Sequence, residues 1–305
     1  MAYVYIYPPN DTQNDFIIDQ IERWKQQGFV CVNSLKDFLK IEWFVLNWYE
    51  NIYVGSRFAY CKKLLFLYGL VLCGKKIVVY IHNKRPHVKY GAMPHYTRSE
   101  RLLLHLIRRA TKVVILTPTV LQYFDGKLHQ ALLKAQDKTL CVPHPNFDFL
   151  YTVPTMVSHD GNIRLLVFGQ IEKYKGVEIA IQAMNRLERK DVEMHIVGSC
   201  PLEQQRALCQ LSTNPNTYFR FEFVKNEDLA ELFSPFDYAV FPLDTTSCLN
   251  SSSVILAHSL HTPVVCPHIA TLDEMPQQSY ISYQYATQEE HIDVLAKILD
   301  SLQKK

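Results

Sequence analysis

"IRLLVFGQIEKYKGVEIAIQAMNRLE", residues 163–188, combines two hydrophobic patterns in one stretch. Its first part is a nearly continuous apolar run that ends in a glycine, which indicates a buried strand. From Gly176 onward the apolar residues recur at the 3.6-residue spacing of a helix. A strand, a short loop and a helix in this order form the repeating unit of a parallel sheet covered by helices. The stretch therefore predicts an α/β fold.

The same alternation continues on both sides of this stretch. The runs "KKIVVYIHN" (75–83) and "TKVVILTPT" (111–119) are strand-like, and the helix-like "SERLLLHLIRRA" (99–110) lies between them. Further along, "VEMHIVGS" and "DYAVFPL" are strand-like, and a helical pattern follows each of them. At 305 residues the chain is about twice as long as an ordinary domain. We therefore predict two Rossmann-like domains in tandem, each built on a parallel sheet.

The domain boundaries follow from where the alternation stops. The segment 150–162 has no periodicity and carries Pro, Ser, Asp and Gly, so we interpret it as the linker. The N-terminal domain is predicted over 1–150 and the C-terminal domain over 163–287. A final helix is predicted over 288–305, packing back toward the N-terminal domain.

Cysteine usage and hydropathy bear on the compartment. The eight cysteines are scattered without a C-x-x-C pair, which favours a reducing cytoplasm over a zinc or disulfide framework. The first residues show neither the basic nor the apolar region of an export signal, so a cytoplasmic protein is expected. The most apolar run, "LLFLYGLVLC" (64–73), is too short to span a bilayer.

The small net charge of +2 hides an asymmetry between the two halves. Residues 1–150 contain 20 Lys and Arg against 11 Asp and Glu, a charge of +9. The remainder contains 12 against 19, a charge of −7. A basic half indicates an anionic partner, such as a membrane surface, a phosphorylated acceptor or a nucleic acid.

Three consecutive serines, Ser251 to Ser253, follow the strand-like "DYAVFPL" and its loop and precede the helical "VILAHSL". In an open parallel sheet, ligands bind beyond the carboxyl ends of the strands. The first N–H groups of a helix lack intrahelical partners and attract anions, so a diphosphate fits this position. The alternative is one serine that caps the helix and two further serines with no role.

Several motifs resemble those of the GT-B glycosyltransferases, in particular a bacterial branch that makes exopolysaccharides and capsules. In the second half these are "LLVFGQIEKYKGVEIAIQAM" (165–184) and "LNSSSVILAHSLHTPVVCP" (249–267), the latter similar to an "NSGSxxxAxxxGxPVI" stretch. In the first half they are "NWYENI" (47–52), "IHNKRPH" (81–87) and "PHPNF" (143–147). The resemblance thus covers most of the chain.

The resemblance implies a GT-B fold, in which two Rossmann-like domains with parallel sheets face a cleft. It implies a hexosyltransferase that moves a sugar from a nucleotide-diphosphate sugar to a polysaccharide or a lipid-linked oligosaccharide. UDP is the favoured nucleotide on family grounds, and GDP is the next. No metal or other cofactor is expected, because Lys175 and the helix start at Ser251 can stabilise the leaving diphosphate. The positions it assigns to donor binding are Gly169, Gln170, Lys173, Lys175, Val224, Asn250, Ser251, Ser252, Ser253 and Val254.

The sequence departs from the family pattern at functional positions. Many retaining GT-B enzymes carry two glutamates eight positions apart, and Cys248 and Leu256 stand at those positions here. Gln170 replaces a basic residue, and Ser252 and Pro145 replace glycines of the family motifs. The retaining mechanism therefore cannot be carried over from the family. A non-catalytic protein that binds nucleotide sugars or glycans is the alternative function.

Two residues of the first half are candidates for catalysis. Glu50 follows the apolar "WFVL" run, so its carboxylate is expected at the end of a strand, as a general base or a ligand of the acceptor sugar. His82 ends the clearest strand of this half and is the second candidate base. A surface salt bridge is the simpler interpretation of Glu50. Nearby histidines without a carboxylate partner do not predict a metal site.

Two stretches of the basic half combine cations with apolar blocks, residues 57–76 and 98–112. This composition is typical of a helix that lies at a membrane interface, and equally of a core helix with charged ends. We expect reversible contact with an anionic membrane at the inner face of the cell membrane. Nucleic acid is not an expected partner, because no recognised binding module is present.

Overall fold

The structure, a computed structural model, describes residues 2–9, 14–55, 57–147 and 161–304. The chain divides into two compact units, Met1–Pro145 and Asn146–Lys305. Of the predicted linker, 150–162, only residues 161 and 162 are described, and the rest lies outside the described residues. Each unit contains one sheet of six parallel strands covered by helices, so the predicted α/β class is confirmed.

The N-terminal unit alternates strands and helices along the chain. Its strands are β1 (Tyr3–Tyr7), β2 (Val30–Val32), β3 (Ile41–Asn47), β4 (Lys76–Ile81), β5 (Lys112–Ile115) and β6 (Thr139–Cys141). Its helices are α1 (Asp15–Gln26), α2 (Arg57–Leu72), α3 (Tyr96–Arg109) and α4 (Gly126–Leu133). The strand order is β2-β1-β3-β4-β5-β6, which places the change of direction between β1 and β3. Ligands of open parallel sheets bind at the carboxyl ends of the two strands that flank such a change.

Strand β1 was not identified from the sequence, although it lies inside the sheet. It pairs with both β2 and β3, with Tyr3 opposite Val30 on one side and Tyr7 opposite Leu46 on the other. Its three middle residues are buried, and the tyrosine at each end is partly exposed. A run this short, with tyrosines in alternation, shows no clear hydrophobic period.

The C-terminal unit repeats the architecture with another strand order. Its strands are β7 (Ile163–Phe168), β8 (Val192–Val197), β9 (Thr217–Arg220), β10 (Tyr238–Val240), β11 (Val264–Pro267) and β12 (Tyr280–Tyr283). Its helices are α5 (Val177–Asn185), α6 (Leu202–Leu211), α7 (Leu229–Phe233), α8 (Ser252–Ser259) and α9 (Gln288–Ser301). The order β12-β11-β10-β7-β8-β9 is that of a dinucleotide-binding Rossmann sheet. Its change of direction lies between β7 and β10.

The last helix belongs to the C-terminal unit. α9 packs against α5, where Arg186 forms ion pairs with Glu289 and Asp293. At its end, the Arg189 guanidinium donates hydrogen bonds to the carbonyl oxygens of Asp300 and Leu302. The described contacts of this helix therefore hold it to its own sheet. Packing toward the N-terminal domain stays a prediction.

Candidate functional site

Two loops of the C-terminal unit meet through Lys175 and Ser253. Lys175 ends a short 3-10 turn in the loop after β7, and Ser253 lies in the first turn of α8, after β10. The Lys175 ammonium donates a hydrogen bond to the Ser253 hydroxyl at 2.7 Å, although 78 residues separate them in the chain. Since β7 and β10 flank the change of strand direction, this contact lies where open sheets bind ligands.

Each of the three serines has a different environment. Ser251 is the N-cap of α8: its hydroxyl accepts a hydrogen bond from the N–H of Val254 at 3.4 Å. Its own N–H donates to the hydroxyl of Thr271 at 3.0 Å, so Ser251 is held from both sides. Ser252 is exposed at the first position of the helix, and Ser253 accepts from Lys175. One serine therefore caps the helix, while the other two stand at its N-terminus, where anions bind.

Burial in this loop lowers the pKa of Lys175 to about 8, although Cys248 and Glu172 oppose the effect. Its hydrogen bond goes to a hydroxyl, which is neutral and does not cancel the charge. A desolvated ammonium gains stability when an anion approaches. The group is therefore suited to binding a phosphate.

Glycines allow the surrounding loops to come close. A Cβ on Gly169, directly after β7, would lie 3.0 Å from the Lys175 ammonium, and the φ of +114° also favours glycine there. A Cβ on Gly176 would overlap the carbonyl oxygen of Pro242. A Cβ on Gly198 would overlap the carbonyl oxygen of Gly169. Because these three residues lack a Cβ, the loops after β7, β8 and β10 can pack closely around Lys175.

The other residues predicted to bind the donor differ in exposure and do not share the contact between Lys175 and Ser253. Gln170 is exposed, and Asn250 is partly buried in the loop before α8. Lys173 is exposed and forms an ion pair with Glu178 at 3.3 Å, so its charge is partly satisfied on the surface. Val224 is buried and lines a cavity of about 540 Å³ that extends along the sheet as far as Arg164 in β7.

The positions that family alignment assigns to two glutamates are apolar and buried. Cys248 and Leu256 both belong to the hydrophobic core of the C-terminal unit. The Cys248 thiol contacts the carbonyl oxygen of Asn250 at 3.5 Å. Neither position therefore carries a carboxylate. The reaction would need its acid or base from another part of the chain.

Tyr285 was not identified from the sequence, although it supports the loop after β10. Its hydroxyl donates to the carbonyl oxygen of Leu243 at 3.0 Å and accepts from the N–H of Thr245 at 3.0 Å. Its ring stacks on His291 at 3.7 Å, and burial lowers the pKa of this histidine to about 4. No sequence motif surrounds Tyr285, which follows β12. Its contact with the loop after β10 is therefore visible only in the fold.

In the N-terminal unit, Glu50 lies shortly after β3, next to the change of strand direction. The residue is only 4% exposed, and its Oε2 atom has no hydrogen-bond partner among the described residues. Desolvation raises the pKa of Glu50 to about 7, while its own backbone and the Lys63 ammonium oppose the rise. A carboxylate with this pKa can accept a proton near neutral pH.

Lys63, on α2, holds the turn that carries Glu50. Its ammonium donates hydrogen bonds to the carbonyl oxygens of Tyr49 at 2.7 Å and Asn51 at 3.0 Å. It also lies over the rings of Tyr7 and Tyr49, at 5.7 and 4.9 Å from their centroids. Burial lowers the pKa of Lys63, and the charge of Glu50 opposes this. Nothing in the sequence of α2 pointed to this role.

His82 is buried in a polar network at the ends of β3 and β4. Its Nε2 atom lies 2.9 Å from the Asn47 side-chain oxygen, and the Asn47 amide donates to the carbonyl oxygen of Tyr7 at 2.9 Å. The ring stacks on Trp48 at 4.1 Å. Burial and the neighbouring His144 hold the pKa of His82 well below its ordinary value, so the ring is neutral. Because its Nε2 atom is engaged by Asn47 and its pKa is lowered, His82 is a weaker candidate base than Glu50.

In 2–9, 14–55, 57–147 and 161–304, no group of three or more His, Cys, Asp or Glu side chains is arranged to hold a metal ion. In the same part of the chain, no helix combines the length and hydropathy needed to cross a membrane.

Comparisons with known proteins agree with this arrangement. Residues 162–302 match the family described as "Glycosyl transferases group 1". A "GDP-mannose:glycolipid 4-beta-D-mannosyltransferase" from Xanthomonas campestris pv. campestris is 28% identical over 209 residues, which are 67% of this chain and 53% of the relative. The chain thus spans about half the length of the curated relatives it matches.

Solved structures extend the similarity to both units. Anabaena Alr3699/HepE, in complex with UDP and glucose, has a TM-score of 0.64 at 13% identity and covers 99% of this chain and 90% of its own. The lipopolysaccharide outer core galactosyltransferase WaaB has a TM-score of 0.58 at 11% identity, covering 98% of this chain and 90% of its own. The fold is therefore GT-B, as the motifs predicted. The C-terminal part of the chain is thus similar in sequence to group 1 glycosyltransferases, and the whole chain is similar in fold to solved glycosyltransferase structures.

Proposed function

We propose that this protein transfers a hexose from a nucleoside-diphosphate sugar to a glycolipid or a growing polysaccharide. The observation that carries the proposal is the contact between Lys175 and Ser253 at the change of strand direction of the C-terminal sheet. A partly desolvated ammonium beside a helix N-terminus provides two independent sources of positive potential. Both would stabilise the negative charge that develops on a diphosphate leaving group.

For the donor, we propose GDP-mannose first and UDP-sugars second. The curated relatives at 28% identity are named for GDP-mannose, which reverses the order that the motifs alone predicted. Solved structures with UDP, such as that of Alr3699/HepE, keep UDP-sugars as the second choice. The same phosphate contacts serve either nucleotide, so the base alone distinguishes them.

For the base, we propose Glu50. A β-linked mannoside made from an α-linked nucleotide sugar requires inversion at the anomeric carbon, and inversion requires a group that accepts the proton of the acceptor hydroxyl. The buried carboxylate of Glu50 has an oxygen without a hydrogen-bond partner among the described residues and a pKa raised to about 7. Lys63 would position this carboxylate by holding the carbonyl groups on both sides of it.

For the acceptor and the location, we propose a lipid-linked saccharide at the inner face of the cell membrane. The relatives' name includes a glycolipid, and the basic first half of the chain has a charge of +9. Basic surfaces bind both anionic lipids and the phosphates of lipid-linked sugars.

The donor site is tested by calorimetry with GDP and UDP on the wild type, Lys175→Ala and Ser252→Glu. We expect each variant to bind GDP about ten- to a hundredfold more weakly, because a charge-assisted contact is lost or a negative charge is added. Lys190→Ala serves as the control, since it removes an exposed lysine from the same unit. Unchanged affinity in both site variants would contradict the assignment.

The enzymatic proposal is tested by release of GDP or UDP from the donor sugars in the presence of lipid-linked acceptors. We expect Glu50→Gln to lower the turnover strongly while the affinity for GDP stays as in the wild type. A wild-type protein that binds GDP but releases none with any acceptor would instead support a binding protein without catalytic activity. Full turnover in Glu50→Gln would assign the role of base to His82 or to another carboxylate.

A further inference from the structure

Helix α2 is apolar on both of its faces, which is unusual for a helix on the surface of a sheet. On its inner face, Leu67 and Leu70 are completely buried. On its outer face, Phe58, Leu65 and Leu72 are 91%, 74% and 87% exposed. These three residues, the α2 stripe, are seven positions apart and therefore lie in a row along the helix. A surface helix ordinarily presents polar residues outward, so the stripe points to a partner.

Exposed apolar residues continue the stripe at both ends of α2. Near its beginning, Val54 and Met93 are exposed, and the N–H of Val54 donates to the carbonyl oxygen of Met93 at 2.8 Å. Near its end, Leu39 is exposed, and the ammonium of Lys75 donates to its carbonyl oxygen at 3.1 Å. Exposed apolar residues are thus present near both ends of the helix as well as along it.

Cations accompany this apolar surface. Lys62 is exposed one turn after Phe58, and Lys89 is exposed in the turn that directly precedes Met93. Helix α3 packs beside α2, with its Arg109 guanidinium 5.4 Å from the centroid of the Tyr68 ring on α2. Three exposed arginines line the outer side of α3, namely Arg101, Arg108 and Arg109.

We propose that this surface docks on an anionic lipid bilayer, with the α2 stripe lying in the interface between the headgroups and the acyl chains. Apolar side chains along one helix face, flanked by lysine and arginine, are the combination that holds a helix in the plane of a membrane. The 16-residue helix would lie along the surface, and its cations would contact the lipid phosphates.

Charge selects a bilayer over a second copy of the chain as the partner. The half that carries the stripe has a charge of +9, so two copies joined at this surface would bring their cations together. An anionic bilayer neutralises the same cations. A monomeric partner with a hydrophobic groove would bind the stripe without needing the arginines of α3.

The docking surface also explains how a membrane-bound acceptor would reach Glu50, a step that rests on the proposed function. Val54 and Phe58, at the start of the apolar surface, are four and eight positions from Glu50 in the chain. Lys63, which holds the turn that carries Glu50, lies in α2 between Phe58 and Leu65. A lipid-linked sugar lying beside the first turn of α2 would have its polar head close to this carboxylate.

The proposal is tested by co-sedimentation of the full chain with vesicles of phosphatidylcholine, alone or with an equal share of phosphatidylglycerol. The test variant is the double substitution Leu65→Ser/Leu72→Ser, and the matched control is Leu202→Ser, which removes an exposed leucine from the other unit. All three side chains are exposed, so the variants are expected to fold as the wild type does. The single variant Leu65→Ser repeats the test with a smaller change.

We expect the wild type and Leu202→Ser to bind the vesicles that contain phosphatidylglycerol. The partition coefficient of the double variant should be lower by a factor of about ten or more. High salt should reduce the binding, since surface attraction is screened. Wild-type binding by the double variant, or equal binding to both kinds of vesicle, would overturn the proposal. A wild-type dimer that becomes a monomer in the double variant would also overturn it, in favour of a second copy.

Calorimetry with GDP on the same proteins separates this proposal from the donor site. A double variant that loses vesicle binding but retains GDP affinity supports the docking surface. If the wild type binds no GDP, the proposed function fails. Loss of vesicle binding in the double variant would still support the docking surface in that case.

Discussion

Replacing Glu50 by glutamine should change how the stability of the N-terminal unit depends on pH. Burial raises the pKa of this carboxyl from its ordinary value of 4.5 to about 7. Between these two values the folded chain keeps the proton that the unfolded chain has lost. The free energy of unfolding therefore falls as the pH rises through this range, and Glu50 makes its largest unfavourable contribution above pH 7. Glutamine has the same shape but does not ionise, so Glu50→Gln should lack this fall.

The size of the effect follows from the two pKa values. Between pH 5 and pH 8, a shift from 4.5 to about 7 changes the free energy of unfolding by roughly 2 to 3 kcal/mol. The stability of Glu50→Gln relative to the wild type should increase by this amount over the same interval. Any constant cost of the buried amide cancels, because only the difference between two pH values is used.

The assay is urea unfolding followed by tryptophan fluorescence. All three tryptophans, Trp24, Trp43 and Trp48, lie in the N-terminal unit, so the signal reports on that unit alone. Glu42→Gln is the control, since it removes the same charge from an exposed position of β3. If the stability difference between the wild type and Glu50→Gln is the same at pH 5 and pH 8, the buried carboxyl does not titrate as described and the reasoning is refuted.

Three further predictions concern the C-terminal unit. Because burial lowers the pKa of Lys175 to about 8, the affinity for GDP should fall as the pH rises through this value, and calorimetry should find no such fall in Lys175→Met. Ser251→Ala removes the N-cap of α8 and should cost about 1 kcal/mol in urea unfolding followed by circular dichroism, whereas an unchanged midpoint would contradict the capping role. In Gly198→Ala the new Cβ overlaps the carbonyl oxygen of Gly169, so we expect a loss of about 2 kcal/mol or more by the same method. A fully stable Gly198→Ala would mean that the loops after β7 and β8 separate easily.

Local patterns were enough to predict the α/β class, whereas the GT-B fold was predicted from the resemblance of the motifs. The strand runs of β4, β5 and β7 are nearly continuous apolar residues because both faces of a parallel sheet are covered by helices. The helices between them show the 3.6-residue spacing that a one-sided contact requires. Both signals depend only on neighbouring residues, so they are present in the sequence itself. Strand β1 lacked such a signal, and only its pairing with β2 and β3 identifies it.

Part of the candidate donor site was equally visible in the sequence. Gly169, Lys175 and the serines from Ser251 to Ser253 were identified because they stand where a strand ends and a helix begins. That the Lys175 ammonium reaches Ser253 and not Ser251 depends on the order of strands in the sheet and on the close approach at Gly176. These distances join residues far apart in the chain, and no local pattern contains them.

The environments of the candidate catalytic residues were decided by the tertiary structure alone. The sequence placed Glu50 at the end of a strand, but its burial, its pKa and its support by Lys63 come from the packing of α2 against the turn. In the same way, the sequence shows α2 as an apolar helix, but only the fold determines which of its leucines are covered. A side chain's exposure and electrostatic environment depend on every element around it. The hydrophobic period of a segment and the residues that mark its ends, by contrast, depend only on neighbours in the chain.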